Sequence, residues 1–217
     1  MKFLAYDGPL DRTVRAIWRY CLLNILYVLC CLPIVTVGAA TTALYAVMLP
    51  STDDTGCFKK FIAALRSNFS QATKIWLIFL VPLVLLYLSI YLCLVYTFPA
   101  SNIMLILTLI CFALYMSIVS FVFPLQARYD NPPKTTIRNA VVLGIRTLIP
   151  GLLMSIITLL PLIIFFINLP LFIYVFILWL FMGASLTAKL NSKICMFVFS
   201  ALDPPEETSA PANEITD

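Results

Sequence analysis

Asp7 and Asp11 lie four residues apart, and two carboxylates at that spacing could supply a general acid and a general base. Arg15 and Arg19 continue the same spacing, so the four side chains share one face of a helix. Acidic residues in the first turns of a helix and basic residues in its last turns stabilise it through the helix dipole and through i,i+4 pairs. We therefore interpret Asp7 and Asp11 as helix-stabilising residues rather than as a catalytic pair.

The remaining composition offers little chemistry for an enzyme. The chain has no histidine, which is the commonest metal ligand and the commonest general base near neutral pH. Its seven cysteines are odd in number, contain no C-x-x-C pair and lie mostly within apolar runs, which is typical of packing residues. Six glycines form no phosphate-binding loop. The sequence predicts no catalytic residue, no metal site and no cofactor.

Most of the chain is predicted to form membrane helices. The 14 basic and 10 acidic residues all fall outside three long stretches, 20–52, 75–127 and 147–188, and the mean hydropathy is +1.02. A membrane-spanning helix needs about 20 apolar residues, and a charge at its centre is costly. The sequence predicts an all-α, polytopic membrane helical bundle with about five membrane segments, at about 20–48, 75–96, 103–124, 147–167 and 171–188. These segments form one domain, 1–199, and an acidic, disordered tail follows at 200–217.

The first segment, 20–48, allows two interpretations. It is long for one span and short for two, and Pro33 and Gly38 interrupt its middle. Either one kinked helix crosses the membrane, or two short helices form a re-entrant hairpin. The re-entrant alternative puts all 14 basic residues on the cytoplasmic side, as the positive-inside rule prefers, whereas the length favours a single crossing.

Short amphipathic helices are predicted at the membrane surface before the second and fourth segments. Residues 58–74 place an apolar stripe at helical spacing, and a second helix is predicted to begin at Pro132. A weak internal repeat relates the two regions, because Arg66 and Lys74 lie eight residues apart, as do Arg138 and Arg146. The candidate interfacial basic face comprises Lys59, Lys60, Arg66, Lys74, Arg138 and Arg146.

Polar residues within the apolar runs are few and uncharged. Small residues from Gly38 to Ala43 would let helices approach closely, and bundle packing is the simpler interpretation. The alternative is a docking or substrate-contact surface near the middle of the membrane. Its candidate residues are Asn24, Pro33, Thr36, Gly38, Thr41 and Thr42.

Residues 7–47 resemble the start of the YesL-like family of small bacterial membrane proteins, most specifically at Asn24 and at 30–38 (CCLPIVTVG). Residues 66–73 (RSNFSQAT) and 124–129 (PLQARY) are also similar to that family. The resemblance extends to about Phe199 and implies about five membrane helices. Members are often encoded near carbohydrate-uptake transporters and sensor kinases, and no catalytic residues are known that could be carried over.

We therefore expect a multi-pass protein of the bacterial plasma membrane, in contact with the lipid bilayer and not with nucleic acid, since its net charge is only +4. The favoured hypothesis is a non-enzymatic accessory protein that binds a carbohydrate transporter or sensor kinase. The alternative is a small transporter subunit that moves a neutral solute. A third hypothesis is a lipid-modifying enzyme that uses Asp7, Asp11 and Asp130.

Overall fold

The computed structural model describes residues 9–50, 56–96 and 100–201, and its elements in these ranges are all helical. Asp7, the acidic residues at 53–54 and the predicted tail from residue 202 onward lie outside the described residues. The helices in chain order are α1 (Pro9–Cys31), a 3-10 turn (Ile34–Thr36), α2 (Val37–Met48), α3 (Cys57–Val95), α4 (Ser101–Arg128), α5 (Pro133–Arg146), α6 (Leu148–Ile167), α7 (Leu169–Leu178), a π-helical turn (Trp179–Gly183) and α8 (Ala184–Ser200).

Five helical segments within this part of the chain are long and apolar enough to cross a membrane. They are Val14–Cys31, Cys57–Val95, Ser101–Arg128, Leu148–Ile167 and Leu169–Ser200. The predicted all-α fold with about five membrane segments is confirmed.

The first apolar segment forms two antiparallel helices. The Thr36 hydroxyl donates to the carbonyl of Cys30, and the Tyr27 and Thr41 hydroxyls lie 3.4 Å apart. Residues further along the chain after the turn therefore contact residues further back in α1, which is the pattern of an antiparallel pair. Helix α2 has 12 residues and is therefore about 18 Å long, whereas the apolar core of a bilayer is about 30 Å thick. The segment is therefore a helical hairpin and not one kinked helix, and α1, with 23 residues, is by itself long enough to cross a bilayer.

The amphipathic region 58–74 does not form a separate surface helix. It is the first half of α3, which runs through 39 residues without a break and contains Pro82 well beyond Lys74. No proline or glycine separates the amphipathic half from the apolar half, so the backbone hydrogen bonds continue across the boundary. Helix α5, by contrast, is separate from α6 because Thr147 leaves the helical conformation.

The rest of the described chain, apart from α5, forms two long helical hairpins, which pack against each other at one end, the base. Hairpin A consists of α3 and α4, and hairpin B consists of α6 with α7, the π-helical turn and α8. The base is the end that carries the basic residues, and its fully buried side chains include Phe61, Phe121 and Phe199. In this base α2 packs against α3, while α5 and α6 pack against α4. The distal ends of the hairpins are the opposite ends, near residue 100 and Asn168.

Candidate functional site

Asn24 binds the backbone of the last membrane segment. Its Nδ2 donates to the carbonyls of Trp179, at 3.2 Å, and Leu180, at 2.6 Å, and its Oδ1 accepts from the Ser185 N–H at 2.9 Å. These groups belong to or flank the π-helical turn, where the regular α-helical ladder is interrupted. The fully buried Asn24 amide therefore brackets this turn and fixes the first hairpin to hairpin B.

The other residues of the predicted interaction surface face different partners. Gly38 is buried against α3, where an added Cβ would lie 2.5 Å from Trp76 Cβ. Thr42 is buried and donates to its own helix at Gly38 O. Thr36 closes the turn before α2, and Pro33 is exposed at that turn. The structure therefore places these residues on separate contacts rather than on one continuous surface.

Thr41 belongs to a small cavity between α1, α2, α6 and α8. The cavity has a volume of about 80 Å³, and hydroxyl groups of Tyr27, Tyr45 and two further threonines, Thr158 and Thr187, contribute to its lining. Asn191 lies next to it and donates to Tyr45 Oη at 3.3 Å and to Thr158 Oγ1 at 3.0 Å. The Asn191 Oδ1 atom is buried without a hydrogen-bond partner. Buried polar atoms of this kind are usually bound by water, and the cavity is large enough to hold water.

Gln126 joins three helices through a buried hydrogen-bond network. Its Nε2 donates to Gln71 Oε1 at 2.8 Å and to Asn68 Oδ1 at 3.3 Å, and its Oε1 accepts from the Thr136 hydroxyl at 2.9 Å. Asn68 and Gln71 lie in the 66–73 motif, and Gln126 lies in the 124–129 motif. The two motifs are thus explained by one contact between α3, α4 and α5.

Replacing Gln126 with leucine will lower the free energy of unfolding by about 2 kcal/mol, because the buried Thr136 on α5 and the half-buried Asn68 and Gln71 on α3 lose their partner. Detergent-solubilised protein unfolded with SDS provides the measurement. Ser67→Ala is the control, since the Ser67 hydroxyl makes only exposed hydrogen bonds, to Ala64 O and from Asn68 Nδ2. Equal stability of the two variants would contradict a structural role for the network.

The predicted basic face divides into two parts. Lys59, Arg66 and Lys74 are exposed along α3, and Lys60 is partly buried. Arg138 and Arg146 are exposed on α5 and line a common cleft. The cleft could not be found from the sequence because its walls come from α4, α5 and α8.

Within the described ranges, no group of three or more histidine, cysteine, aspartate or glutamate side chains could hold a metal ion. Asp130 is exposed after α4, while Asp7 and the side chain of Asp11 lie outside what the structure describes.

Comparison with known proteins gives one match. No curated protein and no solved structure matches the chain. Residues 20–90 match the model of a family described as "Protein of unknown function, DUF624", which is known as YesL-like. The matched part runs from within α1 to most of α3 and includes Asn24 and Gly38, so the hairpin of α1 and α2 and its packing partner α3 are similar to this family.

Proposed function

We propose that the chain is a non-enzymatic accessory protein of the bacterial plasma membrane, which binds a membrane-spanning helix of a partner protein on hairpin B. The observation that carries this proposal is an apolar groove of about 460 Å³ between α6 and the α7–α8 segment. Leu160 and Pro161 line one side, and Met182, Gly183 and Thr187 line the other. Helices associate in membranes by close packing at grooves and small residues, which this surface provides.

The distal half of hairpin B has few neighbours of its own. Helix α7 packs against α6 and the π-helical turn, and it makes no comparable contact with α3 or α4 in the described chain. Tyr174 and Phe166 are 75% and 78% exposed there. A partner helix in the groove would cover Val175 and Leu178 on α7.

The class of partner is proposed from the family resemblance. Because YesL-like members are often encoded near carbohydrate-uptake transporters and sensor kinases, a transporter permease or a sensor kinase is the proposed partner. The absence of histidine supports a role without catalysis.

Leu160→Trp will lower the recovery of the partner at least fivefold, because the larger ring occupies the groove. The measurement is affinity purification from the native host in mild detergent, followed by quantitative mass spectrometry. Leu107→Trp is the matched control, because Leu107 is a similarly exposed leucine on hairpin A. A stoichiometric permease or kinase that is lost only with Leu160→Trp supports the proposal. Equal loss with both variants, or no partner with the unmodified chain, contradicts it.

The hydroxyl-lined cavity favours a second candidate, the uncoupled passage of a neutral solute. Its volume is about 80 Å³, and its lining includes the hydroxyl-bearing residues Tyr27, Thr41 and Thr158. The cavity therefore suits a small hydroxylated solute. A homo-oligomer purified without a partner, together with solute entry into protein-containing vesicles, would favour this candidate.

A further inference from the structure

A second surface cleft lies at the base, between α5 and the ends of α4 and α8. It has a volume of about 330 Å³. Arg138 and Arg146 line its α5 wall, and Asn131 and Asn139 add side-chain amides. Its apolar lining includes Leu125, Leu143 and Phe199, all less than 10% exposed. The cleft thus combines two cationic groups with neutral donors and an apolar floor.

The described walls of this cleft carry two positive charges and no negative charge. Among the described residues its lining contains no carboxylate, and Asp130 is not part of it although Tyr129 and Asn131 are. Neither Arg138 nor Arg146 forms an ion pair or hydrogen bond with another residue in the described ranges. Two arginines eight residues apart are separated by about 12 Å along the helix axis, and Asn139 and Val142 lie on the wall between them. An anionic group in this space would meet donors from both ends.

The position of the cleft identifies the source of the anion. Arg128 ends α4, and Arg146 immediately precedes the charge-free stretch 147–188, so the cleft lies where the apolar spans begin. Basic pockets between helices at this level of a membrane bind anionic headgroups, and arginine binds phosphate with paired donors. We propose that this cleft is a specific site for the phosphate of an anionic phospholipid headgroup, bound by Arg138 and Arg146 with the lipid's apolar part against Leu125 and Phe199.

The proposal can be tested by titrating the purified, delipidated full chain with phosphatidylglycerol and following binding by native mass spectrometry. Arg138→Gln/Arg146→Gln will weaken binding at least tenfold. The matched control is Arg66→Gln/Lys74→Gln, which removes the same charge at the same spacing from exposed positions on α3, and it will change binding less than twofold. Val142→Trp fills the cleft, keeps both arginines and will also weaken binding at least tenfold.

Four outcomes would overturn the proposal. Equal loss in both charge variants would indicate general attraction to anionic lipid instead of a site. Unchanged binding with Val142→Trp would place the lipid outside the cleft. Equally tight binding of zwitterionic phosphatidylcholine would show that the cleft does not select an anionic headgroup. Displacement of phosphatidylglycerol by millimolar inorganic phosphate would show that the cleft is a site for free phosphate and does not require a lipid.

Discussion

Replacing Asn24 with leucine will lower the free energy of unfolding by about 3 kcal/mol, because two carbonyls and one N–H lose a buried partner. Leucine has a similar size, so the loss comes from unpaired backbone groups rather than from a cavity. Water cannot replace the amide easily, since Asn24 is fully buried. Reversible unfolding of the detergent-solubilised protein with SDS measures the change.

Asn102→Leu is the matched control for Asn24. Asn102 is exposed in the first turn of α4, so the same change of residue type removes no buried contact there. We expect its stability to stay within about 0.5 kcal/mol of the unmodified chain, as is usual for surface substitutions. If both asparagine variants lose the same stability, Asn24 does not hold the π-helical turn.

Gly38→Ala will destabilise the chain by about 1–3 kcal/mol, which is typical of overpacking in a well-packed interior. The new Cβ would lie 2.5 Å from Trp76 Cβ and 2.7 Å from the carbonyl oxygen of Ala72, both on α3. A backbone oxygen cannot move aside as a flexible side chain can, so α2 must shift away from α3. The same SDS titration measures the effect.

Gly56→Ala is the control for this prediction, because a Cβ added at Gly56 has no neighbour within 4 Å. Pro33→Leu separates packing from binding, since Pro33 is exposed at the turn before α2. If the turn is a docking surface, Pro33→Leu reduces partner recovery and leaves stability unchanged. Unchanged stability of Gly38→Ala would contradict the close packing of α2 on α3.

The membrane helices could be predicted because a charged side chain inside a bilayer is costly, so long stretches without charge indicate membrane segments. The continuity of α3 through Lys74 could not be predicted, since the change from an amphipathic to an apolar pattern at that residue resembles a helix boundary. The sequence also left the first segment open, because Pro33 is compatible with a kink and with a turn. The hydrogen bond from Thr36 to Cys30 shows that the chain turns back at this point.

The candidate sites depended on contacts that the sequence does not display. Thr41, Thr158 and Thr187 are recognisable as polar residues in apolar runs, but their common cavity requires the packing of α2, α6 and α8. The cleft of Arg138 and Arg146 likewise needs Phe199 from α8. The eight-residue spacing of the arginines shows that they share a side of α5, and it contains no information about the opposing wall.

The contact between Asn24 and the π-helical turn also constrains the order in which the protein can be assembled. Its donor and acceptor residues are separated by 155 and 156 positions along the chain. During synthesis the first hairpin enters the bilayer long before Trp179 and Leu180 have been translated, so the Asn24 amide is without its native partners during most of biogenesis. The last contact joins the beginning of the chain to its last membrane segment, and a chain that stops before Trp179 lacks all three hydrogen bonds of Asn24.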